Sequence, residues 1–416
     1  MRRKLVYKTS AQTPMGRRHR HKAKPPGIEP AWQEDHPYPG KTGDRVTLEI
    51  TDVAFGGEGV GRHEGFVVFV PFVITGEVVE AEIIEIHRQF ARAALIQVIQ
   101  TSPLRTDPVC PKYTQCGGCQ YQHIAYEHQL QIKHKQVKDL FERIGGQPSS
   151  VVERVVACPS PYGYRNRIMV RTQYNRDTKA MNVGYLRHQS RLVVDVDSCP
   201  IAEPALNEKL QQVRVDPPRK NGIKFTLRVF PEGWQLPPDS FFQVNYHQLP
   251  NMVAAVEQQL RSAKVKHLID AYCGVGFFSL SLAHTVDRFT GVEVDKRAIE
   301  SARLNAEHMG HQNGHFIEGT TEDHIQALVD QHDAANTAII LDPPRKGCHQ
   351  SILEVLIQAK PRQIIYVSCQ PATLSRDIKT LCDSGVFEVH KVIPLDMFPQ
   401  TQHVECVTDI RLRQKE

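Results

Sequence analysis

Between residues 44 and 99, apolar residues recur at every second position in short runs, and glycine-rich turns separate the runs. The runs are VTLEI, FVVFV, EVVEAEII and AALIQVI, and one of the turns is AFGGEGVGR. A period of two predicts β-strands, because successive side chains of a strand point to opposite faces of a sheet. Four or five such strands predict a small barrel like the OB fold, which often binds oligonucleotides; a β domain without a binding role is the alternative.

The middle of the chain combines one helix with a second set of strands. A polar stretch from about Tyr126 to Arg143 predicts a helix. The runs RNRIMVRTQY, MNVGYLR and RLVVDV, between residues 164 and 230, predict an antiparallel sheet. These elements predict a central α+β domain.

From about Val265 onward, apolar runs are spaced by helical stretches. HLIDAY, FTGVEV, HFIEG, TAIILD and QIIYVS each precede a helix or a loop, which predicts a parallel sheet with helices on both faces. The last two runs, FEVHKVIPL and ECVTDIRL, have no helix between them and predict an antiparallel hairpin at the sheet edge. The fold class is therefore α/β, with a Rossmann-like C-terminal domain.

Length and composition divide the chain and limit where it works. A chain of 416 residues should form roughly two to four domains. We place them at 1–40 for an N-terminal arm, 41–101 for the barrel, 102–240 for the central domain and 241–416 for the α/β domain. No apolar run reaches the roughly 18 residues that span a bilayer, and the N-terminus shows no apolar signal sequence. We expect a cytoplasmic protein that does not act in a membrane.

Positive charge is concentrated at the N-terminus. Residues 1–24 contain nine lysines and arginines and no acidic residue, whereas the whole chain has a net charge of +5. A proline- and glycine-rich linker, residues 25–43, follows. A basic, disordered arm in front of a mildly acidic body is typical of proteins that contact RNA phosphates. A solubility tail or a targeting peptide is the alternative.

A glycine turn after the first C-terminal strand indicates a cofactor that contains a nucleoside. In IDAYCGVGFFSLSLA the strand ends at Asp270 and continues into Gly274 and Gly276, which let the backbone approach a ligand closely. The next strand ends at Glu293, where an acid can bind both hydroxyls of a ribose. Ser279 stands where a dinucleotide site would have its third glycine, so S-adenosylmethionine is preferred over NAD. A plain tight turn is the alternative.

Cys369 and Glu405 are the candidates for a catalytic nucleophile and a general base. Cys369 follows the buried run QIIYVS, and Asp342 opens the stiff loop DPPRKG at the same predicted sheet edge. A thiolate can add to carbon 6 of uracil, which activates carbon 5 to accept a methyl group. A general base must then remove the proton from carbon 5, and Glu405 begins the last predicted strand. Taken alone, a cysteine at this position is more often a packing residue, and a lone glutamate is usually a solvated surface residue.

These segments together resemble the RNA uracil-5 methyltransferases. SCQPATLSRD resembles that family's nucleophile signature, with Gln370 in place of the more usual asparagine and Ser375 in place of the more usual alanine. FPQTQHVECV resembles the second signature, in which Glu405 falls on the base. The resemblance is nearly continuous from about residue 44 onward and leaves out residues 1–40.

The resemblance implies a cofactor, a domain type and residue roles. S-adenosylmethionine is the implied cofactor, the barrel is implied to be a TRAM domain, and Cys369 and Glu405 are implied to be nucleophile and proton acceptor. The motifs DSFFQVN, DAYCGVG, GVEVD and DPPRKG assign cofactor contacts to Gln243, Tyr272, Glu293 and Asp342. For Asp342 a hydrogen bond to the uracil ring is an equal possibility.

Three cysteines in CPKYTQCGGC can surround one metal centre. Cys110, Cys116 and Cys119 need a fourth thiolate to complete a zinc site or a [4Fe-4S] cluster, and their spacing does not separate these two. The family resemblance implies Cys199 in VDSCPIAEP as the fourth ligand and an iron–sulfur cluster as the centre. The other cysteines are expected to be packing residues: Cys158, Cys273, Cys348, Cys382 and Cys406.

The sequence thus predicts a monomer without an obligatory protein partner that methylates carbon 5 of a uridine in 23S ribosomal RNA. The same reaction on transfer RNA stays open. Two other classes compete: a non-catalytic RNA-binding or ribosome-assembly protein, and an iron–sulfur oxidoreductase or radical enzyme. Arg345 and Arg376 are candidates for stabilising enolate charge or binding phosphate, although each could be an ordinary surface arginine.

Overall fold

The computed structural model describes residues 38–218 and 220–413. The predicted basic arm, residues 1–40, lies outside the described residues except for its last three. Three β-sheets organise the described chain, and each takes its strands from one continuous stretch of sequence.

The first sheet forms the predicted barrel. Its strands are β1 (Arg45–Glu49), β2 (Asp52–Val53), β3 (Glu58–His63), β4 (Phe66–Pro71), β5 (Val78–Ile86) and β6 (Phe90–Gln100). The order is β1-β5-β6-β4-β3-β2, and the sheet curls back on itself because the Thr51 amide donates to the Val60 carbonyl of β3. The sequence predicted four or five strands, whereas the structure has six. The additional strand, β2, has two residues and is too short to show a period.

The central region contains one long helix, one shorter helix and the second sheet. Its elements are α1 (Tyr126–Arg143), β7 (Arg167–Asn175), β8 (Ala180–Leu186), β9 (Val193–Asp195), α2 (Pro204–Val215) and β10 (Lys224–Arg228). The antiparallel order is β10-β7-β8-β9. The sequence predicted α1 and the first three strands, whereas α2 and β10 were not foreseen. Leu206 and Leu210 of α2 are fully buried in the core of this sheet.

The third sheet positions the functional residues. Its strands are β11 (His267–Asp270), β12 (Arg288–Glu293), β13 (Gly314–Glu318), β14 (Thr337–Leu341), β15 (Gln363–Ser368), β16 (Phe387–Leu395) and β17 (Glu405–Leu412). The order is β13-β12-β11-β14-β15-β17-β16, parallel except for the antiparallel pairs of β17 with β15 and with β16. The strand order reverses between β11 and β14, and open α/β sheets bind ligands at such a point.

Helices cover both faces of the third sheet. They are α3 (Leu249–Ala263), α4 (Phe277–Ser281), α5 (Lys296–His308), α6 (Thr321–Gln331), α7 (Gln350–Ala359) and α8 (Pro371–Asp383). Leu268 of β11 packs in the layer with α3, α4 and α5, and the next residue, Ile269, packs in the opposite layer with α6, α7 and α8. Helix α1 joins the second layer through Val137 and Phe141. Among the described residues, no helix has the length and apolar character needed to cross a bilayer.

A buried ion pair joins α1 to the loop between β16 and β17. Lys133 Nζ lies 2.6 Å from Asp396 Oδ1, and neither side chain is exposed. The same ammonium donates to the carbonyl of Phe398 at 3.1 Å. Burial lowers the pKa of Lys133, and the Asp396 charge opposes that shift. Each charge is therefore tolerated only because the other is present.

Replacing Lys133 by methionine tests this ion pair. The Lys133→Met variant leaves the Asp396 carboxylate buried without a cation, so we expect urea unfolding to show a loss of about 3–5 kcal/mol in the free energy of unfolding. The matched control is Lys135→Met on the same helix. Lys135 is about half exposed in its ion pairs with Asp52 and Asp139, so its loss is expected to stay below about 1 kcal/mol. Equal losses in the two variants would contradict the assignment.

Candidate active site

One edge of the third sheet gathers the residues that the sequence assigned to cofactor and chemistry. Tyr272 lies just after β11, Glu293 ends β12, Asp342 follows β14 and Cys369 follows β15. Glu405 begins β17, and because β17 runs antiparallel to β15, its first residue lies at the same edge. Four parallel strands and one antiparallel strand thus deliver these side chains to one crevice.

The pairing of β15 with β17 puts Cys369 beside Glu405. Ser368 pairs with Cys406, so the next position outward on each strand is Cys369 and Glu405. Such cross-strand neighbours have Cβ atoms roughly 4.5–5.5 Å apart. Burial, followed by the Glu405 charge, raises the pKa of the Cys369 thiol to about 11. The two groups therefore influence each other directly.

Arg345 supplies positive charge at this point. Its positive charge acts on the Cys369 thiol and opposes the rise in that thiol's pKa. Its guanidinium also donates to His403 Nε2 at 3.5 Å. Burial and the Arg345 charge lower the pKa of His403 to about 4, so His403 is neutral and can accept this bond. The sequence left Arg345 open between a role at the site and the surface; the structure places it at the thiol.

Glu405 is a buried acid with an unusual affinity for protons. It is 4% exposed, and burial, followed by the charge of Asp342, raises its pKa well above the ordinary value. The charge of Arg345 counteracts part of this shift. A carboxylate with a raised pKa is a better proton acceptor near neutral pH than a solvated one.

Asp342 has no hydrogen-bond partner among the described residues. Burial, followed by the charge of Asp270, raises its pKa to about 7. It follows β14 at the point where the strand order reverses, next to the strand that ends at Asp270. The carboxyl group is therefore free to bind a ligand from either side of the crevice.

The glycine turn and Glu293 form a cradle at the ends of β11 and β12. Gly274 and Gly276 have φ values of 54° and 88°, in the left-handed region that glycine adopts without strain. The Glu293 carboxylate accepts from the Gly274 amide at 3.1 Å and from the Asp295 amide at 2.8 Å. These two bonds orient the carboxylate and leave lone pairs for ribose hydroxyls.

Asp270 is a buried acid whose role the sequence did not reveal. Its Oδ2 accepts from the Ser279 amide at 3.0 Å and from the Ser279 hydroxyl at 2.7 Å, which fixes α4 against the end of β11. Its Oδ1 has no partner among the described residues. Burial is the main cause that raises its pKa to about 6, and the charge of Glu293 adds to it. The acid just before the glycine turn was the available signal.

Gln243 and Tyr272 border this cradle. Asn166 donates to the carbonyl of the buried Gln243 at 2.9 Å, and Ser240 donates to Asp295 at 3.2 Å, so the segment lies against the loop after Glu293. Tyr272 packs against the second apolar layer of the sheet.

Asp377 organises the loop that carries Asp342 and Arg345. It accepts from the Cys348 amide at 2.9 Å and from the Tyr366 hydroxyl at 2.7 Å. Arg376 donates to Asp377 and to the Lys346 carbonyl. These contacts make Arg376 a brace for the loop, whereas the sequence had offered it for enolate or phosphate binding. Asp377 itself was missed.

The five cysteines expected to be packing residues differ from Cys369 in their surroundings. They are Cys158, Cys273, Cys348, Cys382 and Cys406. Each of them is buried, whereas Cys369 is partly exposed at the sheet edge. Cys406 lies in β17 with no exposed surface, and Cys348 lies under the loop that Asp377 braces.

Four cysteines of the central region line a separate cavity of about 580 Å³: Cys110, Cys116, Cys119 and Cys199. The Gly117 amide donates to the Leu186 carbonyl of β8 at 3.0 Å, which holds the cysteine loop on the second sheet. Asn207 of α2 holds the backbone of Cys199 through two hydrogen bonds of 2.8 and 3.1 Å. Burial raises the pKa of Cys116 to about 11 and that of Cys119 to about 12, and the neighbouring thiols add to both shifts.

The spacing of these thiols bears on which centre they fit. Among the described residues, no three histidine, cysteine or acidic side chains are arranged closely enough to bind a single metal ion. A zinc ion requires four ligands drawn to about 2.3 Å for sulfur. A [4Fe-4S] cluster also requires four thiolates, and four cysteines line this cavity.

Comparisons with known proteins agree with this geometry. Residues 228–413 match the family described as tRNA (uracil-5-)-methyltransferase, and residues 39–96 match the TRAM domain. A protein of Thermosynechococcus vestitus, named an uncharacterized RNA methyltransferase, is 31% identical over 88% of this chain and 97% of its own length. A protein of the same name from Clostridium acetobutylicum is also 31% identical, over 90% and 98%.

A solved structure extends the likeness to the fold. The tRNA (uracil-54, C5)-methyltransferase of Pyrococcus abyssi, in complex with S-adenosyl-L-homocysteine, superposes with a TM-score of 0.65 at 25% identity, over 88% of this chain and all of that one. Its ligand is the product form of the cofactor predicted for the crevice beside Glu293. The motifs, the crevice and the full-length likeness together identify this chain as an S-adenosylmethionine-dependent enzyme of the RNA uracil-5 methyltransferase family, with an N-terminal TRAM domain.

Proposed function

We propose that the enzyme methylates carbon 5 of a uridine through a covalent bond between Cys369 Sγ and carbon 6 of the base. The observation that carries this proposal is the strand register that sets Cys369 beside Glu405. Arg345, whose positive charge acts on the Cys369 thiol, is the third residue of the proposed site. A nucleophile, a proton acceptor and a cation within one partly buried crevice are the groups that this reaction needs.

The Cys369 thiolate adds to carbon 6, and the electrons of the carbon 5–carbon 6 double bond move to the carbon 4 oxygen as an enolate. S-adenosylmethionine, when bound, supplies the methyl group that carbon 5 takes up. Glu405 then removes the proton from carbon 5, the double bond re-forms, and Sγ leaves as the thiolate. Arg345 stabilises the negative charge on sulfur at the start and end of this cycle.

We assign the cofactor to the crevice between β11 and β14. Glu293, oriented by the amides of Gly274 and Asp295, would bind the ribose hydroxyls. Gln243 and Tyr272 would contact the cofactor from the two sides of the turn. Asp342, whose carboxyl group lies between Asp270 and the Cys369 side of the edge, would bind the uracil ring or support the cofactor.

We propose 23S ribosomal RNA as the substrate, in the cytoplasm and with the enzyme as a monomer. The combination of a TRAM barrel (41–101), a cysteine-bearing central domain (102–240) and a methyltransferase domain (241–416) resembles the enzymes that act on that RNA. The target uridine must leave its stack, because neither carbon 5 nor carbon 6 can be reached in a helix. Transfer RNA is the second candidate, favoured by the full-length likeness to the Pyrococcus enzyme.

We also propose that the cysteine cavity holds a [4Fe-4S] cluster through Cys110, Cys116, Cys119 and Cys199. A bound cluster would supply four iron–thiolate bonds that tie the cysteine loop to the connection between β9 and α2. The neighbouring thiols add to the raised pKa values of Cys116 and Cys119, and a cationic centre reverses such shifts. The proposed methyl transfer uses no electron from this centre, so its role is structural.

Single substitutions at the two reacting groups test the chemistry. With labelled S-adenosylmethionine and undermodified RNA, Cys369→Ala is expected to lose methylation by more than about 1000-fold, because no adduct forms. Glu405→Gln should transfer the methyl group once and then remain as a covalent protein–RNA complex on denaturing gels. Cys382→Ala, at a buried cysteine of α8, is the control. Methylation that persists in Cys369→Ala would refute the covalent route, and the class of RNA that carries label decides the substrate.

The pH dependence of thiol alkylation tests the pairing of Arg345 with Cys369. Iodoacetamide labelling of Cys369, followed by peptide mass spectrometry, should accelerate as pH rises toward about 11, where burial places the thiol's pKa. Arg345 stabilises the thiolate, so Arg345→Met raises the pKa and moves the profile to higher pH. A profile that is unchanged, or moves to lower pH, would show that Arg345 does not act on the thiol.

Metal analysis tests the cluster. Protein purified without oxygen should contain about four irons and four sulfides per chain, and Cys199→Ser should lose most of both. Cys382→Ser, outside the cysteine cavity, should keep them. Stoichiometric zinc in place of iron would reject the cluster assignment.

A further inference from the structure

The loop between β16 and β17, residues 396–404, leads directly into Glu405, and residues outside the third sheet hold it. The Tyr164 hydroxyl donates to the Pro399 carbonyl at 2.9 Å, and the Asn245 amide donates to the Met397 carbonyl at 3.1 Å. Lys133 adds the buried ion pair with Asp396 described above. The approach to the proposed base is therefore shaped from outside its own sheet.

Gln400 is the strained position of this loop. It is 2% exposed and has a φ of 66°, a left-handed conformation that is strained for a residue other than glycine. Such a conformation persists only where surrounding contacts hold it. Without those contacts the loop would relax, and Glu405, five residues further on, would move with it.

Gln129 of α1 provides a reciprocal clamp on Gln400. Its side-chain amide nitrogen donates to Gln400 Oε1 at 2.9 Å, and its Oε1 accepts from the Gln400 backbone amide at 3.1 Å. Gln129 is 1% exposed and also donates to the carbonyls of Tyr121 and Ile124. The Gln129 side chain thus joins three parts of the chain: α1, the segment that carries three of the cysteines (residues 110–121, here called the cysteine segment) and the 396–404 loop.

The cysteine segment holds the same loop through the residue after Cys119. The backbone amides of Gln120 and Tyr121 both donate to the Gln400 carbonyl, at 3.1 and 3.0 Å. Gln120 Oε1 accepts from the Gln402 amide at 3.3 Å. Gln120, which follows the proposed cluster ligand Cys119, is therefore hydrogen-bonded to the loop that leads into the proposed base, Glu405.

We infer that Gln120 and Gln129 are positioning residues for Glu405, and that the cysteine centre supports methylation by keeping Gln120 against the 396–404 loop. This inference rests on the proposed role of Glu405 as the base. Cys369 follows β15, and no described hydrogen bond joins it to Gln120 or Gln129; the loop reaches it only indirectly, through the 3.5 Å bond between His403 and Arg345. Loosening the loop should therefore leave bond formation at carbon 6 intact and slow the removal of the carbon 5 proton.

Gln129→Met separates these steps, with Gln131→Met as the matched control. Gln131 lies on the same helix, is exposed and bonds only to His128 in the described structure. Since a displacement of about 1 Å can cost about 100-fold in rate, we expect kcat to fall about 10- to 100-fold for Gln129→Met while KM for RNA changes less than about twofold. The methylated covalent complex should accumulate, as for Glu405→Gln.

Hydrogen–deuterium exchange supplies a readout that does not depend on activity. Exchange of the amides of residues 396–404 should rise at least about tenfold in Gln129→Met, in Gln120→Ala and in the cluster-free Cys199→Ser variant, with β15 unchanged. Gln120→Ala keeps the test valid if the buried Gln129 substitution prevents folding. Wild-type exchange and no complex in both glutamine variants would overturn the inference.

The two proposals fail in different ways. If Glu405→Gln forms the covalent complex but neither glutamine variant does, the positioning inference alone is wrong. If Glu405→Gln forms no complex and Cys369→Ala still methylates RNA, the covalent chemistry is wrong. Faster exchange in the glutamine variants but not in Cys199→Ser would reject the link to the cysteine centre.

Discussion

The active site depends on the insertion of one antiparallel strand, β17, between β15 and β16. A purely parallel sheet brings only the residues that follow its strands to the ligand-binding edge. An antiparallel strand adds a residue that begins a strand, and here this residue is Glu405. The ladder between β15 and β17 thereby converts a separation of 36 positions in sequence into neighbouring positions in space. Its hydrogen bonds, buried in the sheet, fix Cys369 and Glu405, the two groups proposed to react, more rigidly than two loops would.

The charges at this edge also favour one kind of cofactor. Asp270, Asp342 and Glu405 are acids whose pKa values burial raises, and the charge of a neighbouring acid adds to each shift: Glu293 for Asp270, Asp270 for Asp342 and Asp342 for Glu405. Arg345 is the cation that offsets part of this charge at Glu405 and Cys369. A crevice of this kind attracts a sulfonium ion and disfavours a pyrophosphate. The preference for S-adenosylmethionine over NAD, drawn from Ser279 at a single position of the turn, thus has a second physical basis.

The periodicity of apolar residues predicted most of the helices and strands. The tendency of ligand-binding residues to follow the ends of parallel strands predicted most of the candidate active site. The strands β11 to β17 followed from the spacing of apolar runs and α1 followed from a polar stretch, whereas β2 and β10 are too short or too polar to produce a signal. Cys369 and Glu405 could be found because they adjoin apolar strands. Asp377 and the Gln129–Gln400 clamp could not, because the clamp joins residues 271 positions apart through amide groups of common type. Their function exists only once the chain has folded.

The position of β17 has a consequence for the order in which the enzyme is made. The ribosome synthesises β15 and the Cys369 thiol first, then β16, and only later the strand that must enter between them. Until then β16 has no neighbour in the sheet, and β15 presents an unpaired edge. The nascent chain therefore contains the proposed nucleophile, Cys369, before it contains the proposed base, Glu405, and the two come together only when β17 enters the sheet.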